Sequence, residues 1–203
     1  MTYIWDLDGT LIDSYPGILK SLLNVLDYFD ISLDENYVYN FILQKSVLDF
    51  LNEISNKYSL DFNTIINKYR ENEIKIEKDV YLIDGAKETL KGIKERGDLN
   101  FLYTHKGSAT MDILKELDIC DYFTLIITSE NNFKRKPDPE GINYIINKYN
   151  LNPNDVYYVG DRPLDVLCAK NANVKSILYK KEGSPINIDA TIVIKNLTDI
   201  LKK

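Results

Sequence analysis

Two aspartates, Asp6 and Asp8, stand two residues apart at the end of an apolar run that begins at Thr2, and Gly9 and Thr10 follow directly. A strand returns every second side chain to the same face, so both carboxylates can converge on one site where the strand gives way to a loop. Gly9 lets the backbone turn sharply at that point. Two anions this close repel each other, and burying them demands compensation by a divalent cation, a lysine or a shared proton. The rest of the chain offers the first two.

The elements that must position these groups follow from hydrophobic spacing. From Ser14 to Asp79 the chain reads as helix throughout. Ile18, Leu19, Leu22, Leu23, Leu26 and Phe29 form one apolar face, Val47, Leu48, Phe50, Leu51 and Ile54 a second, and Ile65, Ile66, Tyr69 and Ile74 a third, with Asp61 as an N-cap before it. From Val80 onward strands alternate with helices. The strands are 99–104, 123–128, 156–160, 176–179 and 191–194; the helices are 86–96, closed by Gly97, then 108–117, 139–149 and 163–172, the last started by a proline. Alternation of this kind implies a parallel sheet wrapped by helices, with ligands outside the carboxyl ends of the strands.

Polar residues fall where that rule puts a site. The first strand ends at Asp6 and Asp8, and the second at Thr104. The third is followed by Lys134-Arg135-Lys136-Pro137, and the fourth ends at Gly160-Asp161 and runs through Arg162-Pro163-Leu164 to Asp165. Each residue also has an ordinary structural use. Asp6 and Asp8 suit an Asx turn, Thr104 a strand, the basic run a solvated loop, Asp161 a helix cap and Asp165 a helix surface. Four such elements in order on one sheet edge outweigh those separate uses.

Bulk properties narrow the classes. At 203 residues the chain fits one domain, or a core with a small insert. A net charge of −6 with scattered basic residues argues against a nucleic-acid binder. Tyrosines set among Ile, Leu and Val read as core and half-buried surface rather than base-stacking platforms. Cys120 and Cys168 form no CxxC pair, so zinc is not expected; both read as small core residues suited to a reducing cytoplasm. The first residues do not read as a leader, and no apolar stretch approaches the ~20 residues needed to span a bilayer.

Taken together, DLDGT at 6–10, the strand ending in Thr104, Lys136 within KRKPDP and GDRPLD at 160–165 resemble the haloacid dehalogenase superfamily. Within it, the phosphoglycolate-phosphatase-like members carry a helical C1 cap and a return segment similar to YLIDGAKETLKGIKERG. The resemblance implies an α/β fold: a Rossmann-like core with a mostly parallel sheet at 1–13 and 80–203, and a small all-helical cap at 14–79, inserted after the first strand. It also implies site roles. Asp6 is the nucleophile on phosphorus, giving an aspartyl-phosphate. Asp8 is the acid that protonates the leaving oxygen and later the base toward water. Thr104 holds the transferring phosphoryl, and Lys136 offsets charge on Asp6 and on phosphate. Mg²⁺ is held by the Asp6 carboxylate, the Asp8 main-chain carbonyl and Asp161, while Asp165 orients metal-bound waters or Lys136.

His105, where many relatives carry asparagine, is a candidate substrate contact, as are Lys106 and, in the cap, Lys45. Their ordinary uses are a loop with local hydrogen bonds and a solvated helix start. The expected activity is hydrolysis of a small phosphomonoester, with phosphoglycolate or a sugar phosphate leading, by a cytoplasmic monomer or homodimer that binds neither nucleic acid nor membrane. The alternatives are a β-phosphoglucomutase-like phosphosugar mutase, a non-catalytic member that binds a phosphorylated ligand or a protein, and a response-regulator-like phosphoacceptor. The second acid, Asp8, favours ester chemistry over dehalogenation, because an alcohol leaving group needs a proton.

Overall fold

The computed structural model describes residues 1–76 and 80–202, with side chains described at all of them except 73–76. The expected helical reading at 77–79 and the inward face of Ile74 therefore lie outside the described residues. The chain divides into two compact units, one formed by Met1–Asp13 with the residues from Tyr81 on, the other by Ser14–Val80.

The first unit is built on six parallel strands. In chain order they are β1 (Thr2–Trp5), β4 (Leu99–Tyr103), β5 (Leu125–Ile127), β6 (Val156–Gly160), β7 (Lys175–Tyr179) and β8 (Ile192–Ile194), and across the sheet they run β5-β4-β1-β6-β7-β8. The labels β2 and β3 belong to Ile12–Asp13 and Tyr81–Leu82, a separate antiparallel pair with Ile12 opposite Leu82. That pair was not read from the sequence. Two residues per strand are too few for an alternation to register.

β1 lies between β4 and β6, and the chain crosses over to reach both. Trp5 is level with Leu102 on one side and Val159 on the other. The next positions, Asp6, Tyr103 and Gly160, therefore form a row at the carboxyl ends, where the strand order reverses and a ligand crevice is expected. Asp6 N–H still donates to Val159 O at 2.8 Å, so the first aspartate is pinned to the sheet edge.

Among the described residues four α-helices accompany these strands, and two of them cover one face of the sheet. α7 (Glu140–Tyr149) and α8 (Pro163–Asn171) bury Ile142, Ile145, Ile146, Cys168, Ala169 and Ala172 against Ile4, Phe101, Tyr103, Ile127, Val156 and Tyr158. Alternation along the strands turns Trp5 and Asn100 the other way. There Trp5 Nε1 donates to Asn100 Oδ1 at 2.9 Å, and Asn100 Nδ2 donates to Leu90 O at 3.0 Å, in α5 (Ala86–Glu95). The polar atoms of this buried pair are thus satisfied, which removes the main cost of burying them. α6 (Ala109–Glu116) joins β4 to β5.

The second unit holds α1 (Tyr15–Tyr28), α2 (Glu35–Gln44), α3 (Val47–Tyr58) and α4 (Phe62–Ile76). α2 was not separated in the sequence reading; Asp34 caps it by accepting from Tyr37 N, and Val38 and Ile42 turn inward. Asp61 accepts from both Thr64 N and Thr64 Oγ1 at 2.8 Å, the capping role expected of it. Cys168 is buried as expected, but Cys120 is only half-buried, in a short turn before β5. Among the described residues no helix is long and apolar enough to cross a membrane.

Candidate active site

Lys136 organises the site. Its side chain is fully buried, and its Nζ donates to Asp6 Oδ1 at 2.7 Å and to Asp165 Oδ1 at 2.9 Å. The ammonium also lies 5.3 Å from the Tyr103 ring centre and 5.1 Å from that of Tyr158, so aromatic faces supply favourable contacts away from the carboxylates. Burial alone would drive this amine neutral, but Asp165 and Asp6 outweigh it and hold its pKa above the ordinary lysine value. The three basic neighbours are now told apart: Lys134 and Arg135 are exposed and Lys136 alone is buried.

The loop that delivers Lys136 is anchored from three directions. Tyr103 OH donates to Lys134 O at 3.1 Å, Asn171 Nδ2 donates to Pro137 O at 2.8 Å, and Lys136 N–H donates to His105 Nε2 at 2.9 Å. The Lys136–Pro137 peptide is cis. The geometry gives His105 Nε2 a backbone partner rather than leaving that nitrogen for a ligand. Burial first, then the charges of Lys136, Arg135 and Arg162, push its pKa far below the usual imidazole value, so the ring is neutral. As Nε2 accepts, the proton sits on Nδ1.

Asp6 is buried and has a cation on each oxygen. Lys136 takes Oδ1, and Arg162 Nη2 donates to Oδ2 at 3.3 Å. Burial raises its pKa, but Lys136 and Arg162 more than offset that, and the carboxyl is held below its ordinary value. Asp165 goes the other way: burial raises it, Lys136 only partly compensates, and the Asp6 charge adds to the rise. Of the two carboxylates that share Lys136, Asp6 is the one whose ionised form the surroundings favour.

The sequence explains how Asp165 arrives. Arg162 and Pro163 start α8, and Asp165 in its first turn accepts from Arg162 N at 3.2 Å, closing the helix end. Gly160 is what lets it sit so close to β6. A Cβ there would lie 2.3 Å from Asp165 Cβ, inside any tolerable contact.

Asp8 is served by a second cation. Lys106 Nζ donates to Asp8 Oδ1 at 3.4 Å, and Lys106 N–H donates to Thr104 Oγ1 at 3.1 Å. One residue thus links the second aspartate to the buried threonine at the end of β4. Asp161 accepts from Thr10 Oγ1 at 3.1 Å, which ties the DLDGT loop to the end of β6. Carboxylate oxygens of Asp6, Asp161 and Asp165 lie within 4.8 Å of one another. This all-oxygen donor set suits a hard divalent cation such as Mg²⁺. Both oxygens of Asp165 already accept hydrogen bonds, from Lys136 and from Arg162 N, as both oxygens of Asp6 do from Lys136 and Arg162.

The core unit thus assembles Asp6, Asp8, Thr104, His105, Lys106, Lys136, Asp161 and Asp165 from four strand ends. Lys45 belongs to the helical unit, where it is exposed at the end of α2 with its ammonium 4.8 Å from the Phe41 ring centre. Sequence reasoning passed over Thr10, Tyr103, Tyr158 and Arg162. Only Arg162 left a usable signal: a cation set between two acids of one motif.

Residues 3–179 match the family model described as haloacid dehalogenase-like hydrolase. The phosphoglycolate phosphatase of Vibrio vulnificus strain YJ016 is 28% identical over 207 residues, covering 90% of this chain and 86% of that protein. Phosphoglycolate phosphatase 1 of Pseudomonas aeruginosa is 30% identical, covering 98% of this chain and 77% of that protein. Among solved structures, a predicted phosphoglycolate phosphatase from Haemophilus somnus 129PT superposes with a TM-score of 0.84 at 22% identity, over 99% of this chain and 96% of that one. At that identity the superposition speaks for the fold alone.

Proposed function

The chain belongs to the haloacid dehalogenase-like hydrolase family, and on that premise we propose that it is a Mg²⁺-dependent phosphatase that cleaves a small phosphomonoester through phosphorylation of Asp6. The observation that carries the reading is the buried Lys136 bridge between Asp6 and Asp165. It keeps one carboxylate ionised and immobile at a sheet edge, which is what a nucleophile on phosphorus needs.

In the first half-reaction an Asp6 oxygen forms a bond to phosphorus and the ester P–O bond breaks. Asp8 gives its proton to the leaving oxygen. In the second half, water attacks the aspartyl-phosphate, Asp8 takes the water proton, and inorganic phosphate leaves with Asp6 restored. One carboxyl does both jobs because the two halves move the proton in opposite directions. Thr104 Oγ and neighbouring backbone N–H groups hold the phosphoryl oxygens, and Lys136 offsets the charge gathered on Asp6 and phosphate. Lys106, beside Asp8 and Thr104, is positioned to keep Asp8 in place and to meet the phosphoryl group. Mg²⁺ would be held by the carboxylates of Asp6 and Asp161 and the main-chain carbonyl of Asp8, where it supplies charge neutralisation for the phosphate dianion. Asp165 serves to orient Lys136.

The substrates we favour are phosphoglycolate, the substrate in the names of the Vibrio and Pseudomonas relatives, and sugar phosphates. The helical unit is the natural seat of selectivity as a cap, with Lys45 as a candidate contact for a second anionic group. Free cysteines fit a cytoplasmic setting. The test is phosphate release from a panel of small phosphomonoesters, with Mg²⁺ and with EDTA, for the wild type, Asp6→Asn and Lys45→Ala. The expected outcome is Mg²⁺-dependent release, lost by at least about 10⁴-fold in Asp6→Asn, with Lys45→Ala re-ranking the esters. Release that survives Asp6→Asn would refute the mechanism.

A further inference from the structure

Among the described residues of the site, Arg162 is a cation that the proposed chemistry leaves without a task. Its guanidinium Nη2 lies 3.3 Å from Asp6 Oδ2, and its Nε lies 4.0 Å from Asp165 Oδ2. Asp6 therefore has no oxygen without a cation beside it. Lys136 sits on Oδ1 in full burial, between two aromatic rings and two carboxylates, and has nowhere to move. Arg162 differs on each count. Its side chain retains 12% exposure, its contact with Asp6 is longer, and its long stem begins in the turn that precedes α8.

A divalent cation that used Asp6 and Asp161 would have to approach an Asp6 oxygen that a cation already neighbours. Like charges at such distances repel strongly in a site this deeply buried. Resting on the Mg²⁺ reading above, we infer that Arg162 is a displaceable counter-ion of Asp6: it balances the nucleophile while the metal is away and yields Oδ2 when the metal arrives. The charge inventory fits this exchange. Asp6, Asp8, Asp161 and Asp165 face Lys106, Lys136 and Arg162, so the four carboxylates are nearly balanced within the protein itself. The cost of the arrangement is a lowered affinity for the metal.

Isothermal titration of the metal-stripped protein with Mg²⁺ alone tests it, alongside thermal unfolding in EDTA and in saturating Mg²⁺. Arg162→Gln is expected to bind Mg²⁺ about tenfold more tightly than wild type, since a unit charge is removed from beside the ion. It should also melt earlier in EDTA and gain more on adding Mg²⁺. Arg162→Lys, which keeps the charge, should stay nearer to wild type. Arg162→Met keeps the stem without the charge and gives the same reading should Arg162→Gln fail to fold. Equal or weaker Mg²⁺ binding by the uncharged variants, with wild type binding normally, would overturn the inference and spare the phosphatase reading. Absence of Mg²⁺ binding in wild type and variants alike would overturn both.

Discussion

Polar side chains do opposite work in the two units. At the carboxyl edge of the parallel sheet, Asp6, Asp165 and Lys136 are buried and bind one another across 130 and 29 residues of chain. In the helical unit the helix caps are local contacts, Asp34 with Tyr37, Ser46 with Asp49 and Asp61 with Thr64, and the longer-range contact of Tyr37 OH with Glu53 at 3.0 Å lies at the surface. Long-range buried charge pairs are not required for folding, and hydrophobic replacements are often as stable. Local caps, by contrast, are what any helix end asks for. The edge of the sheet keeps groups that stability alone does not call for, whereas the helix caps of the other unit are groups that stability explains.

That contrast can be broken first at Lys136. Lys136→Met keeps the bulk and leaves the buried Asp6 and Asp165 with only the longer contacts of Arg162. Phosphatase turnover should fall about 10²–10³-fold or more, and chemical denaturation should show a loss of about 3–5 kcal/mol. A near-wild-type stability would mean that the bridge is weaker than its geometry implies.

Gly160→Ala attacks the same bridge without touching a charge. The new methyl group would collide with Asp165, so α8 must shift at its first turn. Steady-state kinetics should show about a 10²-fold fall in kcat, the effect of misplacing catalytic groups by about 1 Å. An unchanged kcat would show that Asp165 has room to retreat.

A subtler probe is the imidazole beneath Lys136. His105 is neutral in the folded chain but takes up a proton when unfolded, at its ordinary value of 6.5. The unfolded state then binds the extra proton below that pH, so folding stability should decline by up to about 1.4 kcal/mol per pH unit as acidity increases. His105→Gln keeps an acceptor for Lys136 N–H and has no proton to gain. Its denaturation midpoint should lose that part of the slope between pH 6.5 and 5, and an identical slope in both proteins would remove His105 from the account.

The smallest effect is expected in the helical unit. Ser46→Ala deletes the cap that accepts from Asp49 N at 3.1 Å. Stability should drop by about 0.5–2 kcal/mol with kcat nearly unchanged. A large fall in kcat would show that this helix start does more than hold itself together.

The same contrast explains what was legible beforehand. The α/β class and the succession of strands and helices along the chain followed from alternation, because long apolar runs with fixed periods leave a strong trace. The carboxylates at the strand ends were visible because buried anions in a sequence stand out against their apolar neighbours. Their partners were harder to see. Tyr103 and Tyr158 read as core, and Arg162 as a passing turn residue, because nothing in linear order shows that a ring or a guanidinium will lie over a charge 30 or 150 positions away. His105 reads in the sequence as either a candidate substrate contact or a loop residue with local hydrogen bonds, and its Nε2 accepts from the backbone N–H of Lys136. The β2–β3 pair and the start of α2 escaped for a plainer reason: two-residue strands and a helix rich in tyrosine and asparagine have almost no pattern of their own.

The proposed reaction requires Asp6 to become phosphorylated. The most direct measurement is mass spectrometry of the Asp8→Asn variant, quenched in acid after mixing with Mg²⁺ and p-nitrophenyl phosphate. That leaving group needs no proton, so the first half-reaction should run while the second, which relies on Asp8 as base, stalls. One added phosphoryl group is expected on the peptide that carries Asp6. Phosphoryl on another residue, or none while the wild type releases phosphate from the same ester, would contradict it.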